Sequence, residues 1–183
     1  MSTLTQYNAQ LARCRKVFSD KLDDYGASWR IMRPPTLTDQ MFIKAKRIRN
    51  LQTMTDGARI DEGMMPEFIG LVNYGLMALI QLGLPESVTV DITPGKALSL
   101  YDGHAAGVRS LMEAKNHDYG EAWRDMRVSS ITDMILTKIM RNKEIEDHGG
   151  VTKVSEGVEG NYADIVNYAI FALILLSEGD GED

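Results

Sequence analysis

Apolar positions recur at helical spacing along most of the chain. Leu4, Tyr7, Leu11, Cys14 and Phe18 fall on one stripe, which predicts a helix over about 4–24 with Gly26 as its stop. Pro34-Pro35 interrupt the pattern, and Thr36 or Thr38 can cap a second helix that carries Met41, Ala45 and Ile48 on its period, widened by Phe42 and Leu51. A third begins near Pro66 and runs through FIGLVNYGLMALIQL. It is apolar almost all round, so it belongs at the centre of a core. The same plan returns over about 98–117, 131–147 and 158–177. Between the two sets, LPESVTVDITPGK holds two prolines and a β-branched run, which predicts an ordered linker with one short extended segment.

This recurrence is a duplication. DYGASWRIMR at 24–33 returns as DYGEAWRDMR at 118–127, an offset of 94 residues. From Lys21 to Leu82 the ungapped comparison gives 21 identities in 62 positions. The predicted architecture is all-α: two tandem three-helix repeats packed about a pseudo-two-fold axis, because neither unit alone can hide its third helix. The division is repeat 1 at 1–83, a linker at 84–97 and repeat 2 at 98–183, with an acidic tail at 178–183. Fusion then does the work of a homodimer, and further self-association stays open.

Composition narrows the function classes. Hydrophobic residues are 44% of the chain and the net charge is −6, which argues against general nucleic-acid binding. Cys14 is the one cysteine and suits a reducing compartment. The first residues, MSTLTQYNAQLARCRK, carry no apolar run of the signal-peptide kind. The greasiest stretch, Ile165–Leu176, is shorter than the ~20 residues of a membrane span. A cytoplasmic protein without a membrane partner is the expectation.

The polar residues kept in both copies point to chemistry. Cations are kept against the acidic background: Arg30, Arg33, Lys44 and Arg47 return as Arg124, Arg127, Lys138 and Arg141. Lys44 and Arg47 share a helix face, and Arg30 and Arg33 lie in the connection leading to it. They could converge on an anion, a nucleotide or other phosphate ligand; equally, Asp24, Asp39 and Glu62 could neutralise them as structural ion pairs. Trp123 beside Arg124 could stack on a base, although a tryptophan after a helix more often plugs the core. Tyr25 and Tyr119 read as packed rings. Glu156 and Asp164, near and along the start of the last helix, could hold Mg²⁺ and serve catalysis, or form a solvated acidic face. Asn167 could contact substrate or fix helix register. His104, His117 and His148 are not repeated and read as surface residues.

Lys21 with Asp24-Tyr25-Gly26, the Lys-x-x-Arg helix, then Glu and Asn73-Tyr74 form a pattern that recurs from Lys115 to Asn167-Tyr168. It resembles the nucleotide modification associated domain 1 family of small helical bacterial and phage domains. The layout is also similar to the MazG-like all-α nucleotide pyrophosphohydrolases, which hold Mg²⁺ with carboxylates of adjacent helices. The resemblance implies nucleotide binding in nucleotide metabolism or modification. It extends to Mg²⁺-dependent cleavage of a nucleoside triphosphate to monophosphate and pyrophosphate, with Glu156 and Asp164 on the metal and Lys138, Arg141 and Arg124 on the phosphates. The acid three residues before the asparagine is Asp164 in repeat 2 but Gly70 in repeat 1, so repeat 2 is the better metal candidate. The alternative is a non-catalytic helical scaffold.

Overall fold

The computed structural model describes residues 1–54 and 63–179. Six helices carry the fold: α1 (Thr3–Tyr25), α2 (Pro34–Thr53), α3 (Met65–Leu82), α4 (Pro94–Tyr119), α5 (Val128–Asp147) and α6 (Val158–Gly179). Short 3-10 turns, Ser28–Ile31 and Ala122–Asp125, join the first and second helix of each repeat. No strand occurs among the described residues. The fold is the expected all-α pair of three-helix repeats about a pseudo-two-fold axis.

The axis runs between α3 and α6. These two have the highest apolar content of the six helices and bury most of their surface against each other, α2 and α5. Their crossing is close at Gly75: a Cβ there would sit 2.5 Å from a Val166 methyl, so any larger residue pushes the central pair apart. α1 and α4 lie against this four-helix centre, each touching both α3 and α6. Both central helices are long and apolar enough to cross a membrane, but 67% and 72% of those windows are buried inside the fold.

Local chemistry sets the ends. Ser2 and Thr93 accept backbone N–H bonds from Thr5 and Lys96 and cap α1 and α4. Gly26 and Gly120 end those helices at φ 70° and 64°, which explains why the glycine of Asp-Tyr-Gly is kept. Several boundaries differ from the sequence reading. α2 starts at Pro34, because a proline in the first turn gives up no helical bond. Thr36 and Thr38 are therefore inside the helix, and Thr38 is fully buried, bonded to Tyr162 and Glu146. Thr93-Pro94 likewise start α4 four residues early, and the linker before it is turns and bends rather than an extended segment.

Candidate functional site

The 3-10 turn after each first helix places a tryptophan in the core. Trp29 and Trp123 are 4% and 6% exposed. Trp123 stacks on Phe171 with ring centres 4.2 Å apart and carries the Arg124 guanidinium 4.5 Å over its ring. These neighbours are internal, so the ring is a wall and not an open stacking platform. The following arginine is equally committed. Arg30 is 3% exposed, donates to Gln81 and to the Pro85 carbonyl, and lies 2.9 Å from Asp91 in an ion contact without hydrogen-bond alignment. Arg124 donates to Thr3, Gln6, Glu121 and Glu178. Each arginine thus ties its turn to the start of the other repeat's first helix or the chain leading to it.

A second pair of joints is reciprocal. Asn73 in α3 donates to the Cys14 carbonyl of its own repeat and accepts from Tyr101 of the other, at 3.0 and 2.8 Å. Asn167 in α6 donates to the Val108 carbonyl and accepts from Tyr7, at 3.2 and 2.7 Å. Every partner is offset by 94. Burial pushes both tyrosine hydroxyls far above the ordinary phenol range, and the Cys14 thiol to about 12, so none ionises at neutral pH.

One to two turns away along the same helices the repeats differ. In repeat 1, Glu67 is 4% exposed and binds Lys44 at 3.3 Å and Arg47. In repeat 2 the equivalent position is Asn161, and the acid is Asp164, where repeat 1 has Gly70. Asp164 holds Lys115 on one oxygen at 2.7 Å and Lys138 on the other at 2.9 Å. Burial lowers the Lys115 pKa, but Asp164 and then Glu156 outweigh it and the net shift is upward. Lys44 and Lys138 are equivalent lysines, each neutralised by an acid, but the two acids lie three residues apart.

Against these groups each repeat opens a cavity of nearly the same size, about 360 Å³ in repeat 1 and 370 Å³ in repeat 2. Lys21, Tyr25, Trp29, Met32, Lys44, Asn73 and Tyr74 line the first. Lys115, Tyr119, Trp123, Met126, Lys138, Asn167 and Tyr168, all offset by 94, line the second. All seven are identities of the duplication. In repeat 2 the cavity adjoins a polar groove of about 730 Å³ between α5 and α6, and Lys115, Lys138 and Asp164 belong to both. Arg141, Thr137, Ser155 and Glu156 line the groove.

The model of a nucleotide modification associated domain 1 matches residues 21–82 and again residues 115–176. The chain belongs to that family, with two copies of the domain in tandem. No curated protein and no solved structure matches it. Each domain copy begins at a cavity lysine, Lys21 or Lys115, so Tyr7 and Tyr101, which join the copies, lie before the matched segments.

Within the two domains the sequence-predicted residues separate into groups. Lys44, Lys138, Trp123 and Asn167 reach a cavity, and Asn167 also fixes register. Arg141 and Glu156 reach the groove, and Arg47 meets Glu67. Arg30 and Arg124 are structural clamps, and exposed Arg33 and Arg127 cap α2 and α5 through their backbone, so the kept cations do not all converge. Glu62 lies outside the described residues. Tyr25 and Tyr119 are not packed rings but are 57% and 75% exposed at the cavity rims. His104 is not a free surface residue: it is partly buried, and desolvation lowers its pKa against a smaller upward pull from Glu159. The sequence marks Lys21 as one of the kept cations, but Lys115, Tyr74, Tyr168 and the two methionines were passed over as site residues, though the 94-residue identity was their signal.

A resident magnesium ion does not fit this donor set. Both oxygens of Asp164 face ammonium groups, Glu156 is exposed, and no cluster of three or more metal-ligating side chains occurs among the described residues.

Proposed function

We propose that each domain copy binds a nucleotide, or a similar phosphorylated ring compound, in its cavity. The observation that carries this reading is the lining: seven side chains kept through the duplication meet at one cavity in each copy. Core packing alone does not demand this, since the two lysines and the rim tyrosines have polar ends that a plug of apolar residues would replace. A planar ring fits between tyrosines and the methionine, which are adaptable apolar surfaces. The lysines at the mouth suit phosphate oxygens where no acid already joins them, and in repeat 2 the groove beyond them offers Arg141, Thr137 and Ser155 to phosphates. Cleavage of a triphosphate is the finer reading. Glu144 and Glu156 are the groove carboxylates without an attached cation among the described residues, and they are its candidates for activating water.

The test is differential scanning fluorimetry with nucleoside mono-, di- and triphosphates, with and without Mg²⁺, alongside a pyrophosphate-release assay. Binding to the native state raises the melting temperature by mass action, and Lys44→Gln with Lys138→Gln together abolish the rise. No rise with any nucleotide overturns the reading. A rise without pyrophosphate release keeps binding and discards cleavage.

A further inference from the structure

The two cavities have the same walls and one acid each, Glu67 in repeat 1 and Asp164 in repeat 2, but the acid does not stand in the same place. In repeat 2, Asp164 is already seated between Lys115 and Lys138 at 2.7 and 2.9 Å, with its side chain 9% exposed. In repeat 1 the equivalent Gly70 presents no side chain, and the equivalent lysines are Lys21 and Lys44. Lys21 lines the cavity, is exposed, and has no acid partner among the described residues. Lys44 lies across Gly70: a Cβ there would be 3.2 Å from its Cε and 3.3 Å from its Cδ. Its ammonium reaches past to Glu67 at 3.3 Å, and Glu67 also holds Arg47, so Lys44 can leave without stranding that carboxylate.

We infer that the repeat 1 cavity takes the anionic group of the ligand, a phosphate, over Gly70 between Lys21 and Lys44, and that Asp164 fills this same position in repeat 2. Glu67 neutralises Lys44 but does not reach Lys21, so among the described residues of repeat 1 no acid joins the two lysines, and lysines brought together repel unless an anion joins them. Repeat 2 has that anion built in, so its cavity accepts the ring portion and turns away a phosphate directed at the lysine pair; a phosphate chain there must pass toward Arg141. The domain copies are therefore a phosphate-selective site and a charge-satisfied site. This deepens the nucleotide-binding reading and rests on it for the identity of the ligand, but the anion position can be probed separately.

The test uses the full chain and pyrophosphate, followed by ribonucleosides and their 5′-monophosphates. The protein has two tryptophans, one per cavity, so Trp123→Phe leaves Trp29 to report on repeat 1 and Trp29→Phe leaves Trp123 to report on repeat 2. We expect pyrophosphate to change Trp29 fluorescence and not Trp123 fluorescence. Gly70→Asp should weaken that binding at least tenfold, with Lys44 moving its flexible end to make room. Asp164→Gly should create pyrophosphate binding at Trp123, and Asp164→Asn, which keeps the side-chain shape, guards against a glycine-destabilised helix. Circular dichroism checks that each variant is folded. Pyrophosphate binding that ignores both exchanges, that appears at Trp123 in the parent, or that is absent from the parent overturns the inference. Pyrophosphate following the exchanges while no nucleoside or nucleotide binds keeps the anion site and overturns only the nucleotide reading.

Discussion

The asparagine joints and the lysine sites lie within two turns of each other on α3 and α6, yet the first are the same in both repeats and the second are not. Asn73 and Asn167 each close a three-way contact with a buried tyrosine and a buried carbonyl. All partners are fixed, so a change at the asparagine or the tyrosine leaves the other unpaired in a dry interior. The lysine sites ask only that a carboxylate lie within reach of a flexible chain. An acid at 67 or at 164 satisfies this from either of two successive turns. The difference shows which constraint is geometric and which is only a matter of charge: the joint holds the repeats together, and the lysine site has been free to acquire two characters.

The largest effect should come from breaking a joint. Asn167→Ala strands the Tyr7 hydroxyl, removes the second bond to the Val108 carbonyl, which keeps its helical N–H partner, and leaves a cavity; it should cost about 3 kcal/mol in urea unfolding. Asn73→Ala should match it closely; clearly unequal losses would mean that the joints are not equivalent. Next comes Glu67→Gln, which leaves Lys44 and Arg47 around a buried neutral amide. The expected loss is about 2 kcal/mol, less than for a fully buried pair because both cations are partly solvated. A loss below that of a surface pair would show that the acid in repeat 1 is dispensable. Smaller still, Tyr7→Phe and Tyr101→Phe each remove one hydroxyl and should cost about 1 kcal/mol apiece. They should be additive only if the two joints act independently.

The smallest prediction concerns pH. Glu146 is half-buried beside Thr38 and Tyr162, and desolvation raises its pKa above that of the unfolded chain, reinforced by Asp39 and Asp147 and opposed by its hydrogen bonds. A raised carboxylate disfavours the folded state where it is ionised, and the penalty fades as pH falls through the folded pKa toward the ordinary carboxylate range. Glu146→Gln should therefore raise the melting temperature at pH 7 and raise it less at pH 4. Repeat 1 already has Gln52 at the equivalent position, donating to Thr132 at 3.0 Å. A gain that grows on acidification would contradict the assignment.

The helices, the duplication and the central place of α3 and α6 were legible because periodicity and an ungapped offset are properties of the chain itself. The lysine site was only half legible. A column-by-column comparison pairs Glu67 with Asn161 and Gly70 with Asp164, so an acid that shifts by one turn looks like two losses. On a helix those positions share a face, and a lysine reaches either. The fate of Arg30 and Arg124 was not legible, because nothing local marks an arginine for burial. Their acceptors come from the linker, the N-terminus and the end of α6. Tyr7 and Tyr101 stand 94 apart like the rest, but the asparagine each one meets belongs to the other repeat, and periodicity carries no information about that.

The Tyr7–Asn167 bond joins residues 160 positions apart in the chain. On a ribosome adding roughly 5–20 residues per second, its two ends are synthesised on the order of 10–30 s apart. α1 is made first, and Cys14 and Phe18 find partners in α3 and α4, but Tyr7 meets its asparagine only when the last helix emerges. The tyrosine of the first helix and the asparagine of the last therefore set the order of assembly. Repeat 1 can pack its own α1, α2 and α3 before the last helix emerges, but Tyr7 then has no asparagine of repeat 2 to meet, and two half-made chains near each other on one message could pair Tyr7 of one with Asn73 of the other.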